Sequence, residues 1–150
     1  MRIYYIFYIN NYFANFYRKK TYTIYKMLES IKNIKEYDLV LSYKLYSQIA
    51  IPFNKIKVNE YILNSYDNSY FYYKSSNIHI IENLSLNERS KLVVGNANLK
   101  LKSNINYSTF LSIINSYSDN LFVCDFVNKD YFWLSNITKS SCQNKKDLVK

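Results

Sequence analysis

The chain has 150 residues, 49% of them hydrophobic, which suffices for one domain with its own core and excludes disorder throughout. Twenty Lys and Arg against 11 Asp and Glu leave a formal net charge of +9, and that excess points to a polyanionic partner, either nucleic acid or an anionic membrane surface. A single glycine and a single histidine exclude a glycine-rich phosphate loop, a dinucleotide fingerprint and most histidine-based active sites.

In chain order, the first feature is an apolar run from Ile3 to Tyr17, interrupted by Asn10, Asn11 and Asn15. At about 15 residues it is shorter than the roughly 20 a spanning helix needs. Its tyrosines suit an interface. Residues 1–17 read as a Tyr-rich N-terminal extension that packs on a neighbouring protein or RNA, and no stable membrane insertion is expected. Thr21 or Thr23 then caps a helix whose apolar face is Ile24, Met27, Leu28, Ile31 and Ile34. Asp38 to Tyr43 reads as a short strand with a polar end. Pro52 stands near the start of a second helix, with Ile56, Tyr61, Ile62 and Leu63 on its buried side. Asn64 to Asn68 is a turn.

Tyr70 to Tyr73 reads as an aromatic strand, extended by Lys74 to Asn77. Ile78, Ile80 and Ile81 either continue it or open a short helix; the spacing does not decide. Leu84 to Arg89 is helix-like, and Lys91 to Asn96 is a strand end running into a turn. Leu99 and Leu101 alternate with Lys100 and Lys102, as in a half-buried strand. Tyr107 to Tyr117 is a helix, Leu121 to Val127 a strand, Asn128 to Asp130 a turn, and Tyr131 to Leu134 the returning hairpin partner. Ser135 to Ser140 starts a short helix, and residues 141–150 form a polar tail. The order favours an α/β fold: a small sheet with helices packed on it, helix and strand alternating.

The composition carries a second message. Eighteen Tyr, nine Phe, one Gly and one Pro match the codon bias of an AT-rich genome, because Tyr, Phe, Ile, Asn and Lys have AT-rich codons. Such drift is common in mitochondria and plastids, and in some parasites and viruses. Cys124 and Cys142 have no metal-knuckle spacing and read as free thiols in a reducing compartment. His79, between Ile78 and Ile80, reads as a structural imidazole rather than a catalytic one. The acidic residues show no paired-carboxylate motif. No enzyme, no cofactor and no metal are expected.

Cations and aromatic rings interleave at Tyr17 to Lys20, Tyr22 to Lys26, Tyr43-Lys44 and Tyr72 to Lys74. Lysines neutralise phosphates and rings stack on unpaired bases. Arg18-Lys19-Lys20 at a helix start oppose the helix dipole, and a phosphate partner would offset that cost.

From residue 18 to residue 140, the pattern resembles the globular domain of the ribosomal stalk-base protein, the large-subunit protein ten family. The resemblance rests on the basic segment before the first helix, on Leu39 to Lys44, on Tyr72-Tyr73-Lys74-Ser75-Ser76, and on Gly95 about twenty positions further along. Ser75 stands where that family has Asn, and Asn96 where it has Pro. The family's long stalk-binding C-terminal helix has no counterpart. The resemblance implies a structural constituent of a mitochondrial ribosome, bound to large-subunit rRNA beside a protein of the large-subunit protein eleven type. By carry-over, Arg18, Lys19, Lys20, Lys26, Lys44 and Lys74 would contact RNA. The alternative is an accessory subunit of an organellar respiratory complex. Gly95, retained against the genomic drift, is expected to hold a positive φ.

Overall fold

The computed structural model describes residues 1–136. Its first strand, β1 (Arg2–Tyr8), lies inside a seven-stranded sheet, with a neighbour on each side. Alternation in β1 has two apolar sides, because Tyr4 and Ile6 turn one way while Phe7 and Ile9 turn the other, and all four are buried. Residues 1–17 are therefore not an appended extension: they supply β1 and a short helix, α1 (Asn11–Tyr17), capped by the Asn10 side chain, which accepts from the Phe13 amide at 2.7 Å.

Three more helices follow before the chain returns to the sheet. The first, α2 (Thr21–Lys35), buries Ile24, Tyr25 and Leu28. The second, α3 (Leu39–Ile49), occupies the segment expected as a strand. Asp38 explains the difference: its side chain accepts from the Leu41 amide at 3.0 Å, a helix N-cap. Beyond it Ser42, Tyr46 and Ile49 are buried at helical spacing, whereas Leu39 and Val40, which gave the strand-like look, are exposed. The third, α4 (Lys55–Ser65), is capped by Asn54 and buries Val58 and Ile62, leaving Ile56 exposed.

The remaining elements are β2 (Phe71–Ser75), β3 (Ile78–Asn83), β4 (Glu88–Val94), β5 (Leu99–Ser103), α5 (Thr109–Asn115), β6 (Leu121–Asp125) and β7 (Asp130–Trp133). Ile78 to Ile81 thus form a separate strand, reached through a turn in which Ser76 takes a φ of 54°. The helix expected from Leu84 to Arg89 is a turn, with Asn87 at φ 51°, and Glu88 already opens β4. The hairpin of β6 and β7 turns at Lys129, φ 55°. All neighbouring strands are antiparallel, in the order β2-β3-β4-β5-β1-β6-β7.

The fold is α/β, a sheet with helices packed on it, and the helices divide between its faces. On one face α4 and α5 cover Tyr4, Ile6, Ile81, Leu92, Leu101 and Val123. On the other, α1, α2 and α3 cover only the end made by β1, β6 and β7. Arg2 ties that end together: its guanidinium reaches Asp125 at 3.0 Å and Asp130 at 2.9 Å. Gly95 has no positive φ. It is needed for a different reason: a Cβ there would stand 2.8 Å from the Asn98 carbonyl oxygen, to which the Gly95 amide donates at 3.0 Å. The short helix expected after Ser135 lies mostly outside the described residues, as do Cys142 and the polar tail 141–150.

Candidate functional site

The helical layer carries two clefts, one on each side of α2. The outer one, about 570 Å³, lies between α1, α2 and α3 and is lined by Phe13, Tyr22, Met27, Leu45 and Gln48 among others. Its form follows from the helix periods. Ile24, Tyr25 and Leu28 of α2 are buried against the sheet, while Tyr22 and Ser30 reach the groove and Met27, half-buried, lines the groove and packs against the core. Likewise Tyr46 and Ile49 of α3 point inward, which leaves Leu45 and Gln48 toward the groove. Asn10 fixes α1 against the end of α3: its amide side chain donates to the Gln48 carbonyl at 2.8 Å and its backbone N–H to the Ile49 carbonyl at 2.9 Å.

Among the residues lining this groove Tyr22 is 59% exposed, and α1, which forms one of its walls, also exposes the rings of Tyr12 (84%) and Phe16 (63%). Phe13 and Tyr17, one turn apart, stack at 4.4 Å and hold the α1 side of the wall. Exposed aromatics clustered beside an apolar groove mark a protein-binding surface more often than a catalytic one. The groove's charged rim is internally paired. Lys26 bonds Glu29 at 3.0 Å, which holds that carboxyl below its usual range, helped by the Tyr25 hydroxyl at 3.0 Å. Burial in turn pushes the Tyr25 hydroxyl up to about 12.

The inner cleft, about 480 Å³, lies between α2, α3 and the sheet, with Tyr5, Phe7 and Phe126 on one wall and Leu28, Ile31 and Tyr46 on the other. Lys32 lies 4.7 Å over the Phe126 ring at its mouth. Ile31 lines both clefts.

The residues expected to contact RNA do not converge. Arg18 turns inward: it donates to the Asp119 carbonyl and the Asn120 side chain and lies 4.0 Å over the Trp133 ring. Lys19 and Lys20 are exposed nearby, Lys20 beside the Phe16 ring at 5.5 Å. Lys26 pairs with Glu29, and Lys44 stands exposed on α3. Lys74 sits on β2, the edge strand opposite β7. Six strand spacings of about 4.8 Å separate those edges, roughly 29 Å along the sheet, so Lys74 stands far from the basic segment at Arg18 to Lys20 beside β7. Of the groove residues, Met27 reads from the sequence as part of the helix's buried face and Tyr22 as part of a cation–aromatic stretch, whereas Phe13, Leu45 and Gln48 are not singled out. The Asp38 cap and the Ser42–Tyr46–Ile49 spacing were the signals that would have found the α3 wall.

His79 is fully buried in a chain of side chains. The Tyr72 hydroxyl lies 2.6 Å from its Nδ1, and its Nε2 lies 2.7 Å from the Asn59 oxygen. Asn59 donates its NH₂ to Asn77 at 2.9 Å, so its oxygen accepts and His79 carries its proton on Nε2. Burial, reinforced by the Lys74 charge, lowers its pKa to about 4. Glu88, also buried, accepts from the Ser108 hydroxyl at 2.8 Å and from the Thr109 amide at 2.9 Å, securing the start of α5. Both groups spend their bonding on neighbouring elements, and neither opens on a cleft described above. Among the described residues no group of three His, Cys, Asp or Glu side chains is placed to hold a metal, and no helix is long and apolar enough to cross a membrane. Cys124 is a free, buried thiol whose pKa burial raises.

Residues 2–138 match the family model described as sporulation inhibitor of replication protein SirA. No curated protein matches the chain. The family is bacterial, which overturns the ribosomal resemblance, the mitochondrial location, and the rRNA and protein-eleven partners expected with it. It lends no support to the respiratory-complex alternative either. The physical reasons are visible in the fold. The strand matched at Leu39 to Lys44 is a helix, and Gly95 answers a close approach rather than a positive φ. Codon bias does not separate an organellar genome from an AT-rich bacterial one, since either would favour a Tyr- and Phe-rich composition.

Proposed function

The chain belongs to the SirA family, whose description is sporulation inhibitor of replication, and from that premise we propose that it restrains DNA replication in a sporulating cell by binding a protein of the replication machinery, without catalysis. The observation that carries the binding mode is the outer groove between α1, α2 and α3, apolar within, lined by the exposed Tyr22 ring, on a helical layer whose α1 also exposes Tyr12 and Phe16. A partner segment with apolar anchors would bury those rings, and rings of this kind supply much of the energy at protein interfaces. Inhibition then follows from occupancy: a replication protein held in the groove is withheld from its other contacts. The buried polar groups, His79 and Glu88, serve the fold in this reading.

The test is expression of the chain in growing cells of a spore-forming bacterium, with DNA synthesis followed by labelled thymidine incorporation. The wild-type chain lowers incorporation. A variant carrying Tyr22→Glu and Gln48→Lys, both in the groove wall and exposed, with its fold verified by circular dichroism and an unchanged melting temperature, does not. Unaltered DNA synthesis on wild-type expression refutes the inhibitor reading. Full inhibition by the double variant refutes the groove as the binding surface.

A further inference from the structure

The sheet has a face that no helix covers. Where β2 to β5 turn away from α4 and α5, none of their residues joins the core beneath α1, α2 and α3. Strand register determines what that face displays. Lys91 of β4 stands directly opposite Lys102 of β5, and Val93 opposite Lys100. Arg89 and Lys100 lie two residues along from that lysine pair on their own strands, hence on the same face. All four cations are exposed. The ion pairs among the described residues involve Arg2 and Lys26, and none involves these four. The carboxylate in register with them on this face is Glu82, opposite Arg89.

Two like charges directly opposite across a strand pair repel and destabilise the pairing. Lys91 and Lys102 hold that arrangement, with Arg89 and Lys100 beside them, so a bound polyanion would relieve a repulsion built into the sheet. The same face continues into rings. Ile80 is opposite Lys91, and Tyr73 is opposite Ile80; Phe71 is opposite Glu82. Tyr73 is 57% exposed and Phe71 58%. One row across the sheet therefore reads Tyr73, Ile80, Lys91, Lys102.

We propose that this open face binds single-stranded DNA, with backbone phosphates on Arg89, Lys91, Lys100 and Lys102 and unpaired bases stacked on Tyr73 and Phe71. A flat row of cations continuing into exposed rings is what a single strand needs, because stacking requires a free base face that a duplex does not present. The assignment rests on this face alone and stands or falls separately from the groove.

The experiment titrates the full chain into a fluorescein-labelled 20-nucleotide oligo-dT and follows anisotropy. Four phosphate contacts give a slope of log K against log salt near −3, at about 0.7 per contact on a single strand. A duplex of the same length binds at least about tenfold more weakly. Lys91→Gln with Lys102→Gln weakens binding about tenfold or more and flattens the slope by about 1.4. Tyr73→Ala weakens it about fivefold or more while leaving the slope unchanged. Lys44→Gln with Lys57→Gln, which removes equal charge elsewhere, leaves affinity nearly unchanged. The proposal is overturned by any of four results: no binding at 50 mM salt, equal losses in the two double-lysine variants, a duplex bound as tightly as the single strand, or binding to phosphatidylglycerol vesicles without binding to the oligonucleotide. Circular dichroism melts confirm that each variant is folded.

Discussion

Arg18 and Trp133 hold each other twice: the guanidinium lies 4.0 Å over the indole ring, and the indole N–H donates to the Arg18 carbonyl at 2.9 Å. This clasp joins the connection between α1 and α2 to the edge strand β7. Arg18→Lys keeps the charge but loses the planar fork that reaches Asp119 and Asn120 as it stacks. The expected loss is about 1 kcal/mol, read from urea unfolding. Trp133, the single tryptophan, reports the change directly as a red shift in its emission. An unshifted spectrum with wild-type stability contradicts the clasp.

Gly95→Ala is expected to destabilise the fold by roughly 1–2 kcal/mol. The added Cβ would stand 2.8 Å from a backbone oxygen, and backbone yields less readily than a side-chain tip. The turn between β4 and β5 has to open, and the Gly95 to Asn98 hydrogen bond weakens with it. Chemical denaturation of the two proteins side by side measures the difference.

Stability depends on pH through His79. Its pKa is about 4 in the folded chain and near 6.5 in the unfolded one, so between those values the unfolded state binds the extra proton. The stabilisation is complete above about pH 6.5 and is lost as pH falls toward 4. The loss between pH 7 and pH 5 is on the order of 1–2 kcal/mol. His79→Gln should flatten that part of the stability profile, as urea midpoints at several pH values will show. An unchanged slope in the variant assigns the dependence to other groups.

Glu88→Gln puts an NH₂ donor where the site supplies mainly donors, from Ser108, Thr109 and Ser90. A cost of about 1–3 kcal/mol is expected. Hydrogen exchange in α5 should rise with it, because Glu88 secures the start of that helix.

The sequence revealed elements whose apolar residues faced one core. The α2 face at Ile24 and Leu28, the alternation of Leu99 and Leu101 with lysines, and the turn at Lys129 are all local patterns. It misled where exposed apolar residues imitated burial. Leu39 and Val40 read as a strand, yet both are solvent-facing residues at the start of a helix. It misled again at β1, where the apolar run was read as an extension because no local signal shows that a strand will be buried on both faces. The groove escaped notice because it is formed by three helices whose relative placement only the tertiary fold provides. The cation row was half legible: Lys100 and Lys102 stood out, but their pairing with Lys91 is a matter of register between strands.

The position of β1 governs how the chain reaches its native state. Tyr5 pairs with Lys100 on one side and with Cys124 on the other. β1 is made before both of its partners and waits for them. The nascent chain carries Tyr4, Ile6 and Phe7 unpaired until β5 and β6 have emerged. Such non-local pairing slows folding and leaves a transient aggregation hazard. Supplying chaperones during expression should therefore raise soluble yield more than lowering the temperature after synthesis does.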